Sequence, residues 1–147
     1  MAGFLFNTGA FQLTGSTNWG SDTINARLIT TAAGAPSVDA ATMSGIGVVI
    51  GTYPNCTCTL GGKSGPTQDN TYDVIKYASS DALFTAAEIG AGACNRMAIY
   101  KYVAGGDANC LPLACVEITE VTPNGGNITV TCPTSPFTAW FYLDQQP

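Results

Sequence analysis

"TINARLITT", residues 23–31, decides the fold: Ile24, Ala26, Leu28 and Thr30 alternate with Asn25, Arg27, Ile29 and Thr31. A period of two sends the first set to one face of an extended chain, and the β-branched residues favour that backbone. The segment predicts a half-buried strand. Outward from it, seven further stretches read the same way: "IGVVIGTY" (46–53), "CTCTLG" (56–61), "TYDVIKYA" (71–78), "RMAIYKYV" (96–103), "LACVEITE" (113–120), "NITVTC" (127–132) and "PFTAWFYL" (136–143). Gly105-Gly106-Asp107 and Pro123-Asn124-Gly125-Gly126 supply the positive φ angles of hairpin turns, so strands near the C-terminus should pair as antiparallel neighbours.

The helical candidate is "SSDALFTAAEIGAG" (79–92), where Ser80 or Asp81 could cap a short helix ending at Gly90 or Gly92. The fold class expected is all-β: an antiparallel β-sandwich or barrel of about eight short strands with at most one short helix. Ile24, Ala26, Leu28, Val116, Ile118, Ile128 and Val130 should face a common core. The length of 147 residues suits one domain with a hydrophobic core of its own. Residues 1–18 read as an N-terminal arm and residues 19–147 as a single β-domain, with no linker or repeat.

Charge is the unusual feature. Five Lys plus Arg and ten Asp plus Glu give a net charge of -5, and charged residues total 10% of the chain, against roughly 25% in typical globular proteins. A surface built from Thr, Gly, Ala, Asn and Ser can be simply soluble, or can suit a protein that works packed against neighbours. No basic patch exists to meet phosphates, so nucleic acid is not an expected partner. The apolar runs fall short of the roughly 20 residues that span a bilayer, so neither is a membrane. The opening "MAGFLFNTGAFQLTG" has no basic region or sustained apolar stretch of a secretory signal, and implies synthesis in a cytoplasm.

With no histidine in the chain, Ser-His-Asp and Cys-His catalysis are excluded. Asp73, Asp81, Glu88, Glu117 and Glu120 are available carboxylates, but no spacing marks a catalytic pair. "LGGKSG" (60–65) runs into Pro66 rather than a helix, and reads as a loop rather than a phosphate cradle. The sequons at Asn55 and Asn127 would matter only in a secretory pathway. Neither turnover chemistry nor a cofactor is expected.

The six cysteines are Cys56, Cys58, Cys94, Cys110, Cys115 and Cys132. Neither Cys56-x-Cys58 nor the Cys110 to Cys115 spacing matches a zinc knuckle, so no metal is expected. On one strand Cys56 and Cys58 would share a face with Cα atoms about 6.5–7 Å apart, too far for a mutual disulfide. Two readings stand: small hydrophobes packed in a sheet, or thiols that bond to a cysteine elsewhere in the chain or in a neighbouring subunit. Cys110, beside a turn, and Cys132, toward the C-terminus, would be freer to meet a partner than a cysteine in mid-strand.

The order of motifs carries more than any one of them. Phe6-Asn7 leads to Trp19, then to "SDTINARLITT", the "GTY" to "LGGKS" segment, the block from Tyr72 to Val103, and "LPLACVEITEV" joined through "TPNGGNITVTCP" to "FTAWFYL". Over nearly the whole chain this order resembles a family of small tailed-bacteriophage structural proteins. Those proteins carry a similar "SDTIKVALVTS" strand, a Y-x-x-GGK turn, a D-x-x-x-W segment before a tyrosine-rich strand, and a closing hairpin. Asn25 stands where the family has Lys, the region of Phe84 where it has tryptophan, and the cysteines are outside the pattern. The resemblance implies a virion component of head or tail.

Taken with the composition, it leads to the expectation of a capsid decoration or cement protein. Such a protein would be a homo-oligomer, trimer before dimer, that binds the major capsid protein lattice on the virion exterior. Phe4, Phe6 and Phe11 would then lie on a neighbouring subunit, or else begin the domain's own core. The alternatives are a tail-tube or tail-associated protein, and a host-surface or carbohydrate-binding module. For the last, Trp19, Trp140, Tyr100 and Tyr102 would form a stacking platform unless they are core.

Overall fold

A computed structural model describes residues 3–46, 56–87, 92–134 and 139–144. Among these residues ten strands and one α-helix follow in the order β1 (Gly3–Leu5), α1 (Asn7–Gly15), β2 (Ile24–Thr30), β3 (Thr57–Thr59), β4 (Ser64–Asp69), β5 (Val74–Ala78), β6 (Ala82–Phe84), β7 (Cys94–Lys101), β8 (Leu111–Val121), β9 (Ile128–Val130) and β10 (Phe141–Asp144). Every strand pairing is antiparallel. A five-stranded sheet, β1-β8-β7-β2-β3, packs against a three-stranded sheet, β10-β5-β4, and a two-stranded one, β6-β9. The fold is all-β and sandwich-like.

β2 shows why. Ile24, Ala26 and Leu28 are wholly buried and join Val116, Ile118, Ile128 and Val130 in the main core, the set that the alternation predicts. The opposite face departs from the half-buried reading. Ile29 is buried too, in a second cluster with Phe6, Ala40, Met43, Ile46, Ala98, Tyr100, Cys110 and Cys115. Much of its cover comes from residues 31–46, which cross the outer face of the large sheet with two 3-10 turns, Thr31–Ala33 and Met43–Ile46. This segment is too irregular to show a period in sequence.

The helix is not where the capping signal put it. Residues 82–84 form β6, and the Asp81 carboxylate accepts a hydrogen bond from the Cys132 N–H at 3.0 Å, bridging toward β9 rather than capping a helix. Residues 88–91 of that expected helix lie outside the described residues. So do most of the strand expected at 46–53, apart from Ile46, and residues 136–138 of the last one. β4, read as a loop because of Gly65-Pro66, is an edge strand of the three-stranded sheet, where proline's missing N–H costs no ladder bond.

The boundary expected at residue 18 is also absent. β1 pairs with β8, the Phe6 N–H donates to the Leu113 carbonyl at 3.1 Å, and Phe6 is fully buried. α1 has no side-chain N-cap and no charged residue in its terminal turns. It is held by packing rather than propensity, through buried Gly9 and Leu13. Residues 3–15 are part of the domain.

Gly9 is the tightest point of that contact. A Cβ there would sit 2.6 Å from the Leu113 Cα, whereas one on Gly15 meets nothing within 4 Å. The two glycines should respond with opposite signs. Gly9→Ala is expected to cost about 1–3 kcal/mol by forcing α1 off β8, while Gly15→Ala should be neutral or stabilise by up to about 1 kcal/mol. Urea denaturation of the two variants checks this, and a neutral Gly9→Ala would mean that α1 is not docked there.

Candidate functional surfaces

The three N-terminal phenylalanines separate. Phe6 is buried in the second cluster, with Phe4 edge-on to it at 5.2 Å and partly buried against the same cluster. Phe6 is closed into that cluster, whereas Phe4 keeps part of its ring at the surface. Phe11 is different: it projects from α1 with 74% of its surface exposed. α1, "NTGAFQLTG", contains no charge. Its first residue is tied to the cover segment, with the Asn7 N–H donating to the Val38 carbonyl at 3.0 Å and the Asn7 side-chain amide donating to Asp39 at 2.5 Å. Val38 is also exposed, and Asp39 is the sole charged residue in 31–46. Together these elements present a nearly uncharged surface with one protruding aromatic ring.

The cysteines behave as small hydrophobes. Cys56, Cys94, Cys110, Cys115 and Cys132 are buried and Cys58 is half-buried. Cys58, Cys94, Cys110, Cys115 and Cys132 hold free thiols. Burial pushes the Cys58, Cys94 and Cys115 thiols up to about 11 and raises that of Cys132 as well. Little thiolate exists near neutral pH to attack a disulfide or bind a metal. The expectation that Cys110 and Cys132 are freer to meet a partner than a mid-strand cysteine is not met by their burial. Cys110 lies under the second cluster, its sulfur 3.4 Å from both the Val103 N–H and the Val103 carbonyl, and Cys132 is closed into the main core. Among the described residues no three His, Cys, Asp or Glu side chains gather around a point that could hold a metal.

The carboxylates do not converge on a site. Asp81 is engaged by Cys132, Glu117 lies 3.8 Å from Arg96, Glu120 accepts from the Thr31 hydroxyl at 2.9 Å, and Asp73 sits in the β4–β5 turn with φ 53°. Glu88 lies outside the described residues. Nor do the aromatics form a platform. Trp19, Trp140 and Tyr100 are buried, with the indole N–H of Trp140 donating to the Ser79 hydroxyl at 2.7 Å, and of the four only Tyr102 is exposed.

Two polar clusters escaped the sequence reading because their members are far apart along the chain. Arg27 donates to both carboxylate oxygens of Asp107, at 2.7 and 3.0 Å, to the Tyr100 hydroxyl at 3.1 Å and to the Thr57 hydroxyl at 3.1 Å. Its guanidinium carbon lies 5.1 Å from the centre of the Tyr100 ring. The pair pins the Gly105-Gly106-Asp107 turn to the middle of the large sheet. The second cluster holds the entry to β2. The Asp22 carboxylate meets the Lys101 ammonium at 2.8 Å and the Asn18 N–H at 2.8 Å, while Lys63 donates to the Asp22 carbonyl at 2.6 Å. The hydrogen bond from Lys101 is the main reason that the Asp22 carboxyl lies below the usual carboxylate range. With Lys76 on Asp69 at 2.9 Å and Arg96 beside Glu117, all five Lys and Arg side chains of the chain are engaged.

A half-open groove of about 500 Å³ lies between the last residues of β8 and strand β9. Ile118, Val121, Ile128 and Val130 give it an apolar floor, and Thr119, Glu120, Asn127, Thr129 and Thr131 a polar rim. The fold is thus all-β, and its described surface includes an uncharged helical face and this groove. No protein-family model, curated protein or solved structure matches the chain.

Proposed function

We propose that this chain is a bacteriophage virion structural protein, a capsid decoration or cement protein that binds the outer surface of the head and stabilises the major capsid protein lattice. It is made in the bacterial host cytoplasm and works as a homo-oligomer, trimer before dimer, without turnover chemistry. The observation that carries this reading is the surface of α1 and residues 31–46. It is nearly free of charge, and Phe11 stands 74% exposed upon it. Depletion of charge around an aromatic anchor is the composition of an interface core rather than of a solvated face. The order of sequence motifs supplies the kind of partner. A protein that binds the assembled lattice and not its separated subunits stabilises the lattice by linkage, and repeated weak contacts over a symmetric shell add up to firm occupancy.

Sedimentation with expanded, empty capsids tests the reading. The wild-type protein should co-sediment to saturation, and Phe11→Asp should lower the apparent affinity by about tenfold or more. Its circular dichroism should be unchanged, because Phe11 contributes little to the core. Equal occupancy by the variant would remove Phe11 from the interface. Binding to isolated tails in place of heads would move the protein to the tail.

A further inference from the structure

The turn that joins β8 to β9 carries the chain's single Asn-Gly pair, Asn124-Gly125, followed by Gly126. All three residues are exposed. In such a pair the main-chain nitrogen of the glycine is a nucleophile within reach of the asparagine side-chain carbonyl, and a residue without a β-carbon leaves the approach open. The turn supplies a second element of that reaction. The Gly126 N–H donates to Asn124 Oδ1 at 3.0 Å, and so points at the oxygen on which charge develops during attack.

What opposes the reaction is the seat of the turn on the segment after β6. The Gly125 N–H, whose proton must leave before the nitrogen can attack, donates to the Ala87 carbonyl at 2.8 Å, and the Ala87 N–H donates back to the Gly126 carbonyl at 3.0 Å. The Ala86 N–H donates to Asn127 Oδ1 at 3.0 Å. Ala86 is held within this lacing at φ 50°, a conformation that residues with a side chain rarely adopt, so opening the lacing also relieves strain.

We propose that Asn124 is a site of self-modification, an asparagine that deamidates when the turn lifts off Ala87. The Gly125 nitrogen gives its proton to hydroxide and bonds to Asn124 Cγ. The bond from Cγ to Nδ2 breaks, and ammonia leaves with a proton taken from water. Water then opens the cyclic imide. Cleavage at Cγ leaves aspartate, and cleavage at the main-chain carbonyl leaves isoaspartate, whose main chain is one carbon longer. Both products add a carboxylate to a chain of net charge -5. The longer chain no longer matches the bonds to Ala87, which loosens the end of β6. The reaction is independent of what the α1 surface binds.

The test holds the full chain at mildly alkaline pH, short of alkaline unfolding, and follows it by isoelectric focusing and by mass spectrometry of its peptides. Asn124 should convert ahead of every other asparagine, to a mixture of aspartate and isoaspartate, and hydrogen exchange at Ala87 and Gly125 should quicken in the converted fraction. The urea-unfolded chain should convert several-fold faster. Asn127→Ala, which removes the acceptor of the Ala86 bond from an exposed position, should speed conversion about fivefold, while Asn127→Asp, which keeps an acceptor oxygen, should convert at the wild-type rate. Four outcomes overturn the proposal: an Asn124 that stays intact in the folded protein, earlier conversion at another asparagine, equal rates with and without urea, and an Asn127→Ala rate no higher than that of the wild type.

Discussion

Replacing Trp19 with alanine is expected to remove about 3–5 kcal/mol of stability, a large share of the roughly 5–15 kcal/mol of an ordinary domain. Trp19 has no exposed surface, and its ring meets Tyr77 and Phe141 edge-on at 5.7 and 5.4 Å. Those two rings are themselves stacked at 5.1 Å, so the indole closes a three-ring cluster between the β2 entry and the three-stranded sheet. Its N–H donates to the Ala78 carbonyl at 2.9 Å, at the end of β5. Alanine leaves both a cavity and an acceptor without that donor, while Trp19→Phe keeps most of the volume and loses only the bond. The expected order of denaturation midpoints is wild type, then Phe, then Ala, with unchanged denaturant dependence. A cost below about 1 kcal/mol for alanine would mean that the three rings do not pack as one unit.

Alkali should unfold the protein at a lower pH than is usual for a domain of this size. The Cys58, Cys94 and Cys115 thiols are raised from 9.0 to about 11 by burial. A group whose folded pKa is raised contributes stability that is complete below its unfolded value and is lost as pH rises through the folded one. Each of the three should therefore cost on the order of 1 kcal/mol by pH 10, and together several. Burial raises Cys132 and Tyr77 too, which adds loss of the same sign. At the acid end the sign reverses. Asp22 and Asp69 are lowered, chiefly by hydrogen bonds from Lys101 and Lys76, so their contribution is present above 3.8 and fades as pH falls through the lowered values. With no histidine to titrate between, stability should be flat from about pH 5 to 8. Thermal melts across pH 5–11 check the curve, and Cys94→Ala should flatten its alkaline limb. A midpoint steady up to pH 11 would show that these thiols are not sealed from solvent.

The strands were legible wherever burial is one-sided or the apolar run is long. β2, β7 and β8 announce themselves by alternation and by β-branched content, and the core face of β2 follows from residue spacing alone. What escaped depends on contacts distant in sequence. α1 contains Gly9, Thr8, Thr14 and Gly15, all poor helix formers, and exists because Gly9 lets it approach Leu113. β6 was hidden by Ser80 and Asp81, whose capping chemistry serves a strand-to-strand bridge instead. The phenylalanines of the N-terminal segment were legible as apolar anchors, but sequence alone could not separate buried Phe6 from exposed Phe11. That division is made by the second cluster, whose members are drawn from β2, β7, β8 and the cover segment. The groove had no signature either, because its two walls, the end of β8 and strand β9, come together only in the fold.

The engagement of every basic side chain has a consequence for crowding. A molecule whose five cations are each engaged within its own surface, four by carboxylates and Lys63 by the Asp22 carbonyl, and whose net charge of -5 comes from scattered acids, projects little field beyond the roughly 8 Å over which physiological salt screens charge. Identical copies can then stand side by side at high surface density with little mutual repulsion accumulating as their number grows. A coat assembled from such molecules would fill to completion at nearly the same free energy per copy from the first to the last.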